Sequence, residues 1–133
     1  MMSRRWRRRQ SGPPERCEAA SQAGALWPLL SPFIGVLGAF VSGSATASNI
    51  LFTDFQAATA RALDLPVTLM AAAQGVGAAI GNAIAPHNII AGAATVGLAG
   101  RDGEVLARTL GEVFAYARIA GFVAYIASWT WGN

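Results

Sequence analysis

The first apolar run of the chain, Leu26 to Val41, is 16 residues long and makes a helix of about 24 Å at about 1.5 Å per residue. A bilayer's hydrocarbon core is about 30 Å thick. The run is short for a crossing, and Pro28, Pro32, Gly35 and Gly38 loosen it further. It passes into Ser42-Gly43-Ser44-Ala45-Thr46-Ala47-Ser48-Asn49, and a second short run follows from Ile50 to Leu63. Two half-length arms joined by a hydroxyl-rich turn predict a re-entrant hairpin over 26–63. Irregular backbone at membrane depth survives where protein or a water-filled cavity satisfies its polar groups, so this turn is where a polar solute would be met.

At 100° per residue the second arm places Asn49, Thr53, Gln56 and Ala60 on one small, polar stripe. Phe52, Phe55 and Leu63 form a neighbouring stripe on which Thr59 is the one hydroxyl. The polar stripe is expected to face the protein and the aromatic one to pack. Asp54 lies off the polar stripe. An intramembrane carboxylate is a candidate for proton handling, and a place near the headgroups is the competing reading.

Arg61, Asp64 and Pro66 mark a turn, and the 33 residues from Val67 to Ala99 then carry no charge. That is about 50 Å of helix, too long for one upright span. The break is predicted at Ala85-Pro86-His87-Asn88, where proline removes a backbone donor and disfavours helix in the residue before it. Ahead of the break, Ala73, Gly77, Gly81 and Ala85 recur every four residues, a seam of small residues that admits a second helix closely. Gln74 and Asn82 lie on an adjoining stripe and need partners in lipid; Asn82 is a candidate for lining a cavity. The chain leaves the membrane at Gly100-Arg101-Asp102-Gly103. An amphipathic interfacial helix is predicted over 102–112, with Glu104–Arg108 and Arg108–Glu112 at i,i+4 spacing. A final span over 113–131 follows, with Tyr125, Trp129 and Trp131 as an aromatic belt and Arg118 snorkelling toward the near interface.

Composition agrees with this pattern. Hydrophobic residues make up 53% of the 133 residues and charged ones 13%, about half the charge of an ordinary soluble domain, so the chain reads as an all-α, polytopic membrane protein. The net charge of +3 is uneven, with six Arg and two Glu in residues 1–30 and four Arg and five acids in the remainder. Residues 1–22, with their Arg cluster and no apolar period, are expected to be disordered. That leader could grip phosphates non-specifically, but the preferred reading needs only water and anionic lipid headgroups, and no nucleic-acid partner is expected. Cys17 is the single cysteine, so no internal disulfide forms, and no metal site or cofactor is expected. No nucleophile, base and orienting group occur together, which argues against an enzyme.

If the Arg101/Arg108 loop faces the cytoplasm, as the positive-inside bias prefers, the C-terminus, residues 61–66 and residues 23–30 all lie outside. The Arg-rich leader would then sit on the side that such segments avoid. The expectation is that residues from about Ala23 onward are a piece of something larger.

The stretch GALWPLLSPFIGVLGAFVSGSATASNILF, followed by AAAQGVGAAIGNAIAPHNIIAGAATVGLAGRDGEVLARTL, resembles the C-terminal end of the L-lactate permease family of bacterial membrane transporters. The resemblance covers about residues 23–131. It implies a proton-coupled carrier of the bacterial inner membrane for lactate, glycolate and related 2-hydroxymonocarboxylates, several times longer than this chain. It is also similar to the wider ion-transporter superfamily, whose sites join Ser-Asn-Thr hairpin tips to a Pro-x-Asn helix break. On that likeness the tip matches Ser44 and Thr46, and the break matches Pro86 and Asn88. Ala45 stands where the family usually has Asn or Asp, which removes one ligand for a coupling ion.

The residues themselves point the same way, since a second arm starting near Ser48-Asn49 turns unpaired N–H groups and a positive dipole end toward the tip. Ser42, Ser44, Thr46 and Ser48 would add hydroxyl donors, or else merely satisfy a turn. His87, the single histidine, either carries a coupling proton or caps carbonyls freed by Pro86. A different reading is a small self-associating membrane protein that forms a homo-oligomer through the Gly/Ala seam and binds lipids with its leader.

Overall fold

The computed structural model describes residues 14–131, with side chains described from residue 24. Five helices follow one another: α1 (Pro14–Ser42), α2 (Ala45–Ala62), α3 (Val67–Asn82), α4 (Pro86–Thr95) and α5 (Asp102–Trp131). Among the described residues there is no strand, and the all-α membrane fold is as expected. Residues 1–13 of the expected leader lie outside the described residues. From Pro14 the chain is already in α1, earlier than the expected arm and inside the stretch expected to be disordered.

Pro28 and Pro32 lie inside α1 without ending it. Each removes one i→i−4 bond, a loss that neighbouring helices and local adjustment make tolerable in membrane helices, and both rings are fully buried. The portion Gly24–Ser42 is 19 residues long and apolar enough to cross a membrane, so the shortness that favoured a re-entrant arm is absent. The hairpin itself is present: Trp27 faces Phe55 and Gln56, and Gly38 faces Ser48 and Phe52, so α1 and α2 run antiparallel.

The α2–α3 turn closes with Leu65 N–H donating to the Ala60 carbonyl at 2.8 Å and Asp64 at φ +53°. That left-handed position normally takes Gly or Asn; Asp tolerates it because its short polar side chain bonds locally. α3 then runs parallel to α1, pairing Gly77 with Pro32 and Gly81 with Val36.

This crossing is the tightest in the molecule. A Cβ placed on Gly77 would fall on the Pro32 carbonyl, one on Gly81 on the Val36 backbone, and one on Gly35 of α1 on the Gln74 carbonyl of α3. Small residues on both helices let the backbones touch, and dispersion contact between them replaces the hydrophobic drive that lipid cannot supply. The Ala73/Gly77/Gly81/Ala85 seam is therefore filled by α1 of the same chain, which corrects the expectation that it is free to drive self-association.

α3 and α4 meet at a bend of 44°, where the break was predicted. The expected separation of an interfacial helix over 102–112 from a span over 113–131 is not present, because α5 is continuous for 30 residues. Gly111 alone costs about 1 kcal/mol in a helix interior and does not stop it. α5 returns along α1, with Gly121 against Leu29 and the rings of Phe33 and Phe114 6.3 Å apart. Val36, Ile84, Val113 and Ala117 form the apolar core between α1, the α3–α4 break and α5. Large apolar side chains such as Val41, Ile50, Phe122 and Trp129 are exposed, the inverse of a soluble domain.

Glu104 pairs with Arg101, its Oε1 accepting from Nε at 3.1 Å, rather than with Arg108 as the i,i+4 spacing suggested. Among the described residues this is the one ion pair.

Gly77→Ala is expected to destabilise the folded chain in detergent by about 1–3 kcal/mol, the range for overpacking a close contact. Gly92→Ala, with open space around it, should be neutral or slightly stabilising. Reversible unfolding monitored by circular dichroism checks both, and equal effects would show that the α1–α3 crossing is loose.

Candidate functional site

The site is built where the two interruptions of helix come together. α1 ends at Ser42, whose hydroxyl donates to the Gly38 carbonyl at 2.7 Å. Gly43 adopts φ +71°, a conformation open to glycine and strained for residues with a Cβ. Ser44 is then the N-cap of α2, its Oγ accepting from the Ala47 N–H at 3.3 Å. Two residues thus reverse the chain.

The break in α3–α4 has an equally local cause. Pro86 cannot donate to the carbonyl of Asn82, four residues earlier. Asn88 supplies the missing donor: its Nδ2 gives a hydrogen bond to the Asn82 carbonyl at 2.8 Å, and Ala85 N–H reaches the same oxygen at 3.2 Å. The freed carbonyl is therefore capped by Asn88, not by His87. This corrects one of the two roles expected for the histidine.

The His87 ring instead lies against the hairpin tip. Its Cε1 and Nδ1 are 3.0 and 3.1 Å from where a Cβ of Gly43 would stand. Tip and break, 44 positions apart in sequence, are in contact through a glycine and an imidazole. α2 and α4 both begin at this junction, and neither has an acidic residue in its first turn. First-turn N–H groups of a helix lack intrahelical acceptors, so two positive helix ends face one region with no neighbouring carboxylate on either. The local field favours an anion.

The remaining residues expected at the site divide by depth. Thr46 and His87 are exposed, Pro86 is exposed as the first residue of α4, and Ser44 and Asn88 are half-buried. Asn49 and Asn82 each keep a buried Oδ1 with no hydrogen-bond partner. Ser48 is fully buried and points away from the tip, its Oγ donating to the Gly35 carbonyl at 3.0 Å. Asp54 is exposed on α2, ten residues beyond the N-cap, and is not brought to the junction.

Sequence reading missed what holds the hairpin in place. Trp27 Nε1 donates to Gln56 Oε1 at 3.0 Å; Gln56 Nε2 donates to the Ser31 carbonyl and to Gln74 Oε1 at 3.1 and 3.2 Å. Gln74 Nε2 donates to the Ser48 carbonyl and Oγ at 3.4 and 3.2 Å, and Ser31 Oγ to the Met70 carbonyl at 3.3 Å. Every member but Trp27 is fully buried. The network runs through α1, α2 and α3 and satisfies both amides, the condition under which a buried polar group is tolerated. The signal was present as one glutamine in each of two facing apolar helices, but spacing on separate helices does not say that they meet.

Residues 16–130 match the family model described as L-lactate permease. The chain belongs to the L-lactate permease family. It is 34% identical over 106 residues to glycolate permease GlcA of Escherichia coli (strain K12), covering 80% of this chain and 19% of that protein. It is 33% identical over 115 residues to the L-lactate permease of the same strain, covering 84% and 21%. The L-lactate permease of Bacillus subtilis (strain 168) is 36% identical over 87 residues, 65% and 16%. The chain thus spans about a fifth of the length of the curated relatives it matches. No solved structure matches it.

Gln56→Leu and Gln74→Leu are each expected to cost about 1–3 kcal/mol, because each strands the other amide in the core. The double variant should cost less than the two together, by roughly 0.5–1.7 kcal/mol. A double-mutant cycle on detergent unfolding measures this, and strictly additive costs would mean that the amides do not share a bond.

Proposed function

We propose that this chain forms one half-site of a carrier for 2-hydroxymonocarboxylates such as lactate and glycolate, in the bacterial inner membrane. The observation that carries the reading is the Gly43–His87 contact, which joins the hairpin tip and the helix break of a permease-family chain. Two helix N-termini without first-turn acids suit the substrate carboxylate. The buried, partnerless Oδ1 of Asn82 at the break suits the 2-hydroxyl, which can donate a hydrogen bond. Such a solute satisfies both demands, whereas a plain anion satisfies only one.

His87 is the residue assigned to proton coupling. Its imidazole lies against the tip where the substrate carboxylate would sit, so anion and proton would be coupled through one junction. Asp54 lies too far along α2 for this role, and Ala45 offers no side-chain ligand for a metal-ion alternative. Ser42, Ser44 and Thr46 line the approach, and Asn88 holds the break open without contacting solute. The role is transport, with no bond made or broken. Inverted-repeat carriers draw their sites from two halves, and this chain supplies one.

In liposomes the 133-residue chain alone is expected to give no proton-driven lactate uptake. Exchanged for the matching segment of an Escherichia coli L-lactate permease, it should support uptake, and His87→Ala should lower the coupled rate at least tenfold while leaving lactate exchange at equal pH. A cysteine at position 46 in that chimera should be protected from aqueous labelling by lactate, with positions 30 and 64 labelled from one common side. Uptake by the isolated chain, or labelling at 46 indifferent to lactate, would overturn the proposal.

A further inference from the structure

α5 turns Val113, Ala117, Gly121 and Ala124 into the protein. The opposite side carries Arg108, Ala115 and Phe122, spaced by seven and therefore drifting by only about 20° per step around the helix, with Arg101 immediately before its first residue. All four are exposed. Two concavities lie along this line. The outer one, about 260 Å³, is lined by Leu98, Arg101, Glu104, Val105 and Arg108. The inner one, about 430 Å³, is lined by Ala115, Arg118, Ile119 and Phe122. The first is charged, and the second is a notch over the small Ala115 between Ile119 and Phe122, with Arg118 at its side.

The charges in the outer concavity are ordered plus, minus, plus along the helix. Arg101 and Glu104 form the ion pair already described, and Arg108 has no carboxylate partner among the described residues. Glu104 keeps accepting capacity, because a carboxylate offers about four lone-pair sites. A ligand that complements this row carries a negative group for Arg108 and, one turn outward, a hydrogen-bonding cation for Glu104. Guanidinium and phosphate match well in geometry. Seven residues from Arg108 to Ala115 span about 10 Å and fourteen to Phe122 about 21 Å, which brackets the half-thickness of a bilayer core, about 15 Å.

We propose that this face of α5 seats one phosphatidylethanolamine molecule. Its phosphodiester lies on Arg108 beside Arg101, its primary ammonium donates to Glu104, and one acyl chain lies in the notch over Ala115 between Ile119 and Phe122. A choline headgroup has no N–H for Glu104, and a glycerol headgroup brings a net negative charge toward Glu104 with no cation to offset it. The site therefore selects on the headgroup amine as well as on the phosphate.

The test is native mass spectrometry of the full chain released from nanodiscs holding equal amounts of phosphatidylethanolamine, phosphatidylglycerol and phosphatidylcholine. Wild type is expected to retain phosphatidylethanolamine several-fold over the other two, although the basic leader, unchanged in every variant, would favour phosphatidylglycerol. Arg108→Gln should lower that retention about tenfold. Glu104→Gln should remove the preference over phosphatidylcholine while phosphate-dependent retention persists, and Ala115→Phe should fill the notch and lower retention of the long-chain lipid. All three substituted positions are exposed, and circular dichroism of each variant checks that it folds. Equal retention of the three lipids by wild type, no change in Arg108→Gln, or displacement of the lipid by an equal concentration of inorganic phosphate would each overturn the proposal.

Discussion

The close approach of two backbones is the constraint on which this structure rests. In water a helix pair is driven together by removing apolar surface from solvent, but lipid tails are as apolar as leucine and offer no such drive. What remains is contact between atoms at short range, and α1 and α3 maximise it by omitting side chains at Gly35, Gly77 and Gly81. Once these helices touch, the positions of Ser31, Ser48, Gln56 and Gln74 follow, because the amides must find partners within the narrow gap beside the crossing. The hairpin arm α2 is thus held at a fixed height against the scaffold. That height brings Gly43 to His87.

The division of labour among the polar residues follows from their depth. Near the crossing, every donor and acceptor is used inside the protein, and the network has nothing left for a solute. At the junction of tip and break the accounting is open: an exposed imidazole and the unpartnered Oδ1 of Asn82 stand beside the first turns of two helices. Rigid support and incomplete satisfaction thus stand side by side.

Much of this was legible in the residues, and where it was not the reasons are physical. The small-residue period, the Pro86 break and the polar turn are local signals and were found at their positions. The role of Asn88 was hidden because it requires knowing which carbonyl proline frees and which nearby amide can turn back to it. Ser48 was read as a solute contact because a hydroxyl near a turn is common to both roles, and only the packing of α2 on α1 separates them. The length of α1 was misjudged because Pro28 and Pro32 are helix breakers in water but not when buried among neighbouring helices. α5 was cut in two at a change of polarity that the backbone ignores.

The bond from Asn88 to the carbonyl of Asn82 spans the bend, with one end on each helix. It behaves as a strut of fixed length. A proline kink alone is a free joint, able to flex through a range of angles at little cost. Braced from the far side, this one has a rest position, and the 44° between α3 and α4 is held while that brace stays in place.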